Sequence, residues 1–487
     1  MRLSKLTYDR GTLLLHPPPK GKAWIDFATW DDRVEKFRIP APSYPDLIEK
    51  LEAEGIKFID DAKEFFNIEI NNNNLTKTPY EHQQEALTQW KGAGRKGVIV
   101  LPTASGKTYL AQMAIAVTPY TTLIVVPTLD LMHQWYAQIE QAFPKVEVGL
   151  LGGGSHDSAP LLIATYHSAA IHAQHLGNHY ALQIFDECHH LPTDFFKVIA
   201  EESIAPYRLG LSATPERGDG SHRLLDQLIG KVVYRKSPED LSKIALAEYE
   251  IIPIKVKLSP AEKQRYEEAI KTRNEFLKEE KIYLSGLEGW QNFIKASAKS
   301  ARGRRAMMAH RESKEIASGT AGKLTVLSEL ISAHHPDKML IFTNDNATVY
   351  RISQQFLIPA ITHQTPVKER HQILTKYREG DYKIIVASHV LNEGVDVPDA
   401  KIAVILSGTG STREYVQRLG RILRKANQQE KLAKLYEVVA ENTTEEKTAQ
   451  RRQDNMKSQQ SKPIPITSYT SGSQSLKAAE SSPDYDK

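Results

Sequence analysis

A run of apolar residues, Gly97-Val98-Ile99-Val100-Leu101-Pro102, breaks into Thr103-Ala104-Ser105-Gly106-Lys107-Thr108 and then continues as Tyr109-Leu110-Ala111-Gln112-Met113-Ala114-Ile115-Ala116-Val117. The first stretch reads as a buried strand and the last has the length and spacing of a helix. A chain that leaves a buried strand through Ser-Gly-Lys-Thr and enters a helix turns backbone N–H groups and a helix N-terminus toward one point, which suits an anion. Thr103, Ala104, Ser105, Gly106, Lys107 and Thr108 then form a phosphate loop. Lys107 reaches the terminal phosphates of ATP, and the Thr108 hydroxyl is a ligand for Mg2+. The strict form of this pattern has glycine where this chain has Leu101. The tetrad alone would also fit a strand-to-helix turn with an incidental lysine; its strand–loop–helix setting favours the phosphate reading.

The same alternation recurs. Short apolar runs at 121–127, 161–165, 182–187 and 209–214 are separated by segments of helical spacing, and a second series follows at 338–343, 382–388, 401–407 and 433–439. Continuous apolar strands alternating with helices predict parallel sheets covered on both faces. With 487 residues the chain exceeds one ordinary core. We expect two α/β domains, 76–240 and 322–446. Between them, 241–321 reads as linkers and charged helices. Ser259 is placed as an N-cap, with Pro260 at the first helical position and Glu262 completing a capping box. From Lys295 to Lys314 seven Lys or Arg face one Glu, including Arg304 and Arg305. Such a run is either a solvated helical face or a surface for nucleic-acid phosphates. Residues 1–75 read as a small α+β domain. Residues 447–487 are polar, Ser-rich and aperiodic, as in a disordered tail.

The bulk numbers mainly exclude. A net charge of +4 neither requires nor forbids nucleic acid. One cysteine allows no intrachain disulfide and no Cys-rich metal site. No apolar run approaches the roughly 20 residues of a membrane span. These features point to a cytoplasmic protein.

That lone cysteine lies in Phe185-Asp186-Glu187-Cys188-His189-His190. Cys, His and carboxylates are metal ligands, so a metal cluster is one reading. Adjacent side chains at a strand end do not converge on one ion, however, and zinc sites use spaced ligands. The alternative is the acidic end of a buried strand, in which Asp186 holds magnesium and Glu187 acts as catalytic base toward water. With a phosphate loop upstream, the second reading is favoured, and Cys188 becomes a packed residue.

The ordered set PTASGKT, VVPTLDL, TYHSA, DECHH, LSATPER, IFTND, NEGVDVPDA and QRLGRILR resembles the superfamily 2 DNA and RNA helicases. QRLGRILR and the short ERGDG element after SAT resemble the XPB branch, as does the N-terminal YDRGTLLL…WDDRVEKFRIPA. The resemblance spans most of residues 5–445. It implies two RecA-like parallel-sheet domains, a small N-terminal α+β domain that senses DNA distortion and a helical thumb-like insertion.

It also implies roles. Gln83, in TPYEHQQEAL, reads adenine. Ser212, Ala213 and Thr214 couple nucleotide state to domain closure. His189 or His190 links neighbouring motifs, and His190 is either a packed neighbour or the link from nucleotide state to DNA grip. Gly394 and Asp396 line the cleft from the second domain, while Gln417, Arg421 and Arg424 face the γ-phosphate, where developing charge needs a cation. DNA contacts are expected at Thr128, Thr165, His363, Gln364 and Ser388. Arg217 and Asp219 of ERGDG are expected to assist strand separation, unless that element is only a polar loop. Trp290 and Phe293, near the basic run, are either base-stacking or core residues; for Phe293, core is favoured.

The function so implied is an ATP-dependent DNA helicase moving 3′ to 5′ in DNA repair. It would act as a monomer on single-stranded and forked DNA, with a nuclease as a possible partner and no membrane involvement. A duplex translocase that does not unwind, an RNA helicase and a non-enzymatic ATP-gated clamp are the alternatives. Intact Lys107, Glu187, Arg421 and Arg424 speak against the clamp.

Overall fold

The computed structural model describes residues 3–22, 24–70, 75, 77–217, 219–237, 240–241, 248–284, 286–388, 400–407 and 432–451. Their strands form three sheets.

The first lobe is built on eight strands in the order Val232–Arg235, Lys96–Val100, Tyr207–Ser212, Leu182–Asp186, Thr122–Val126, Leu161–Thr165, Val148–Gly152 and Ser155–His156. All neighbours are parallel except the last pair, a hairpin through the glycines at 152–154. The central strands are buried along their whole length, as expected when helices cover both faces. The sequence reading missed Val148–Gly152 and Val232–Arg235. Neither carries an uninterrupted apolar run, and both lie toward the sheet margins.

The second lobe has six strands, ordered Glu248–Val256, Leu432–Ala440, Ile402–Ile405, Met339–Phe342, Ile384–Ala387 and Ala360–Ile361, all parallel. Its first strand lies upstream of the charged helices. Of the helical insertion and linkers expected over 241–321, the linker reading is corrected at 248–256, which is a strand of this sheet. Glu248–Val256 pairs with Leu432–Ala440, and the helices Pro260–Glu279, Gly286–Lys299 and Ala301–Gly319 are inserted within the second lobe.

One carboxylate staples both ends of this insertion. Glu262 forms the expected capping box with Ser259, and it also accepts from the Thr320 hydroxyl at 3.0 Å and the Ala321 N–H at 3.3 Å. Inside the insertion, Phe293 is fully buried and Trp290 packs on Phe293 and His310 with ring centroids 5.7 and 5.1 Å away. The structure thus makes Trp290 part of an aromatic core and not a free stacking platform. Arg304 and Arg305 are exposed.

The N-terminal residues form a five-stranded sheet, antiparallel except where Ser4–Asp9 runs parallel to Phe58–Asp61, with helix Tyr44–Ala53 beside it. This unit docks on the first lobe where strands begin, away from the edge where they end. The Tyr8 hydroxyl donates to the Glu202 carbonyl at 2.6 Å, Asn178 Nδ2 to the Ala62 carbonyl at 3.0 Å, and Ile204 is buried in the unit's own core. Among the described residues no helix is long and apolar enough to cross a membrane.

In the second lobe, Lys323 is almost fully buried. Its Nζ donates to the Leu406 carbonyl, just past strand Ile402–Ile405, and pairs with Glu445 at 2.6 Å. Burial lowers its pKa, against the opposing pull of Glu445. Removing one partner of a buried pair leaves the other charge uncompensated. Lys323→Met is expected to cost roughly 3–5 kcal/mol, read as a lowered melting temperature in a thermal-denaturation scan. An unshifted melt would show that this pair does not hold the lobe together.

Candidate active site

Three neighbouring strands of the first lobe, Lys96–Val100, Tyr207–Ser212 and Leu182–Asp186, end at the same edge. Parallel strands about 4.8 Å apart bring their C-terminal loops together there, where open α/β sheets bind ligands. The three loops carry Thr103–Thr108, Ser212–Thr214 and Asp186–His190.

The first loop runs straight into helix Lys107–Ala116. Gly106 sits before it at φ +85°, in the left-handed region that glycine favours, and any Cβ there would collide with the Gln83 amide. Ala104 is also left-handed, at φ +69°, which explains why glycine suits that position and shows what alanine must tolerate. Ser105 is buried and closes the loop on itself, its hydroxyl donating to the Pro102 carbonyl at 2.8 Å. Thr103 Oγ1 is buried without a hydrogen-bond partner among the described residues. An orphaned hydroxyl and strained backbone beside a lysine fit a phosphate-binding loop. Thr108 lies in the first helical turn.

Lys107 Nζ lies 3.1 Å from Glu187 Oε1, and both side chains are largely buried. Glu187 is itself left-handed, φ +47°, at the bend where the strand gives way to a short 3-10 turn. Its second oxygen accepts from the Ser212 hydroxyl at 3.4 Å and lies 3.4 Å from His189 Nδ1. Burial alone would raise the pKa of Glu187. The Lys107 charge and the His189 contact outweigh it and hold the carboxyl below its usual range.

Asp186 goes the other way. Burial, and next the Glu187 charge, push its pKa up to about 6, against Lys107 and two hydrogen bonds. Those bonds are donated by the Trp135 indole N–H to Oδ2 at 2.9 Å and by the Glu187 N–H to Oδ1 at 3.0 Å. Two neighbouring carboxylates driven apart in this way are a recurrent sign of a site with divided roles.

Cys188 is fully buried, and burial raises its thiol pKa. Among the described residues no group of three or more His, Cys, Asp or Glu could hold a metal ion. A pair of carboxylates with a hydroxyl nearby does fit magnesium, which keeps waters and takes only one or two carboxylates beside phosphate.

Several expectations change. Of the two histidines, His189 is the one that faces Glu187 and Ser212. His189 is completely buried, 3.3 Å from Ser212 Oγ, whereas His190 tilts against Tyr166 and His189 with centroids 5.7 and 4.3 Å away. The 3-10 turn after Glu187 buries the first histidine completely and leaves the second half-buried. Gln83 is buried with both ends of its amide engaged. Oε1 accepts from the Tyr80 N–H at 2.9 Å, and Nε2 donates to the Ser105 and Gly106 carbonyls at 3.2 Å. Here it braces the loop. Ser212 accepts from the Thr214 N–H at 3.2 Å, while Ala213, half-buried between them, has no polar side-chain atom.

The nucleic-acid set is divided. Thr128 and Thr165 both cap helices, accepting from the N–H of Leu131 and Ser168; Thr165 also donates to Ser168 Oγ at 3.0 Å. Capping uses each hydroxyl oxygen as an acceptor and leaves its O–H able to donate, and Ser388 is buried. His363 and Gln364 are exposed, next to strand end Ala360–Ile361. Arg217 is bidentate to Asp219 and donates to the His189 carbonyl at 3.0 Å, so ERGDG touches the acidic turn directly. Gly394, Asp396, Gln417, Arg421 and Arg424 lie outside the described residues.

Sequence reasoning missed Trp135, whose apolar neighbours mark it only as core. It also missed Arg370, whose Nη1 lies 3.0 Å from Asp130 and joins the two lobes.

Residues 6–62 match the family described as Xeroderma pigmentosum group B helicase damage recognition domain. Residues 76–217 match the type III restriction enzyme res subunit, and 322–426 the helicase conserved C-terminal domain. A DNA 3′-5′ translocase XPB2 of Sulfurisphaera tokodaii is 39% identical over 427 residues, covering 85% of this chain and 96% of that one. A DNA 3′-5′ helicase XPB of Mycobacterium tuberculosis is 28% identical over 374 residues; the match covers 74% of this chain and 60% of that longer protein. In fold, the chain is similar to the Hef helicase domain of Pyrococcus furiosus, with a TM-score of 0.54 at 18% identity over 78% of this chain and 99% of that one. Dbp5 of Saccharomyces cerevisiae, bound to RNA and ADP BeF3, gives 0.52 at 12% identity, over 78% and 87%.

The contact of His189 with Glu187 can be read in an assay of nucleotide turnover. Hydrogen bonds to charged groups are worth about 1.5–3 kcal/mol, so His189→Ala is expected to lower kcat roughly 10- to 100-fold. An unchanged kcat would mean that this contact has no part in turnover.

Proposed function

The chain belongs to the XPB family of DNA helicases and translocases, and from that membership we propose that it couples ATP hydrolysis to 3′-to-5′ movement on DNA and to strand separation in DNA repair. The observation that carries the site assignment is the meeting of Lys107, Asp186, Glu187, His189 and Ser212 at three adjacent strand ends.

With no nucleotide, Lys107 neutralises Glu187. The γ-phosphate is the stronger partner for Lys107, so binding draws the ammonium away from the carboxylate. Loss of that cation raises the basicity of Glu187, while Ser212 and His189 keep its second oxygen in place. The residue is then both oriented and basic enough to accept a proton from the attacking water. Thr108 and Asp186 would hold magnesium, which when bound offsets phosphate charge. By resemblance to the family, Gln417, Arg421 and Arg424 would supply an amide donor and cations to the γ-phosphate, and Gly394 and Asp396 would face the nucleotide. Closure would then follow nucleotide state and let the two lobes grip a strand in alternation.

On the DNA side, His363 and Gln364 are exposed at the second lobe's strand ends and suit sequence-independent backbone contact. Arg304 and Arg305 present positive charge from the helical insertion. The N-terminal unit, by its family, reads distorted DNA. It meets the first lobe at the edge opposite the nucleotide, so DNA held by both would pass around that lobe. The reading places the protein in the cytoplasm as a monomer, with a nuclease as a plausible companion.

Relatives carry both names, helicase and translocase, so movement without unwinding is the second reading. ATP turnover should rise on adding single-stranded DNA. Lys107→Ala should abolish it, and Glu187→Gln should keep ATP binding while turnover falls roughly a hundredfold or more. A 3′-tailed duplex should be unwound and a 5′-tailed one left intact. Turnover indifferent to DNA would sink the motor reading. DNA-stimulated turnover and triplex displacement without unwinding would select the duplex translocase.

A further inference from the structure

Helix Leu129–Ala142 turns one face, Met132, Trp135, Ile139 and Ala142, into the core of the first lobe. Trp135 is 2% exposed. Packing alone would not require a tryptophan there, and an indole N–H sealed in an apolar core needs an acceptor. It has one, Asp186 Oδ2, at 2.9 Å. The other Asp186 oxygen accepts the Glu187 N–H at 3.0 Å. The carboxylate is therefore held by one donor on each oxygen and cannot rotate about its Cβ–Cγ bond without losing both. Its remaining lone pairs are those left for a cation.

We propose that Trp135 is a positioning residue for magnesium, fixing through its indole N–H the carboxylate plane of Asp186. The inference rests on the reading of Asp186 as the magnesium-holding residue. Partners of metal ligands set ligand orientation and affinity, and their loss typically costs about 10- to 100-fold. Indole is well suited to this. It donates only, so it cannot turn an acceptor toward the carboxylate, and it has no second polar atom to mispair.

The helix that carries Trp135 is itself held in place. Gln112, on the phosphate-loop helix, donates from Nε2 to the Gln138 carbonyl at 3.1 Å. In the first turn, Asp130 pairs with Arg370 of the second lobe at 3.0 Å. Asp130 and Trp135 are five residues apart, about 7.5 Å along the axis. The donor to Asp186 thus rides on a rigid element tied both to the phosphate loop and to the opposite lobe.

The test is binding of a fluorescent non-hydrolysable ATP analogue to the full chain, with magnesium and with EDTA. Trp135→Phe keeps an aromatic ring and removes the N–H. The affinity gained on adding magnesium should shrink by roughly tenfold, while affinity in EDTA stays near wild type. An unchanged magnesium gain overturns the inference. An equal loss in both conditions also overturns it, since Trp135 would then only pack the lobe. Should the Phe variant fail to fold, 3-benzothienylalanine at position 135 replaces the N–H by sulfur at nearly constant shape, and the same outcomes decide. Asp186→Asn runs in parallel and should abolish the magnesium gain. If it keeps the gain, the assignment of Asp186 is what has failed, and the inference falls with it.

Discussion

Two carboxylates on consecutive residues, both withdrawn from water, are the constraint around which the first lobe is arranged. Like charges that close in a poorly solvated site repel strongly, and burial penalises each of them besides. The structure resolves this by drawing donors for each acid from different elements. Glu187 takes Lys107 from the phosphate loop, Ser212 from the neighbouring strand end and His189 from its own turn. Asp186 takes Trp135 from a helix and the Glu187 backbone N–H. The left-handed backbone at Glu187 is what points the two side chains into separate donor sets. A parallel sheet is suited to this task because its strand ends gather loops distant in sequence at one edge.

The motor half of this site was legible in the sequence, because its chemistry is local. Ser-Gly-Lys-Thr between a strand and a helix, and Asp-Glu at the end of an apolar run, are each placed by a dozen residues of pattern, and the fold brings them together. What was not legible depends on geometry across elements. The single turn after Glu187 decides which of two adjacent histidines faces inward, and spacing does not reveal it. Thr128 and Thr165 follow strands and precede helices, so they satisfy a motif and an N-cap at once. The fold assigns their hydroxyls to the cap. Trp135 reads as core because it is core; its polar atom matters only when Asp186 is known to lie beneath it.

The fold shows the same division between local and distant information. The strand tracts of both lobes and the capping box at Ser259 follow from periodicity and residue type. The membership of Glu248–Val256 does not. Its partner is Leu432–Ala440, across the whole second lobe in sequence. A strand seen before a set of helices is naturally assigned to a linker, yet here it makes those helices an insertion. The Glu262 staple joining the insertion's two ends is the local trace of that long-range topology.

Among the described residues the lobes share the Asp130–Arg370 pair, whose side chains are 29% and 15% exposed, beside an apolar cluster that runs through both. An exposed ion pair contributes about 0–1 kcal/mol, and a half-covered one somewhat more. The pair also sits on the helix that reaches Asp186, so whatever lengthens it disturbs the same element that orients the acid. Coupling free energies are reciprocal. If occupancy of the magnesium site shifts that helix, it must change the inter-lobe pair by the same energy, and a strand that parts Asp130 from Arg370 must be felt at Asp186.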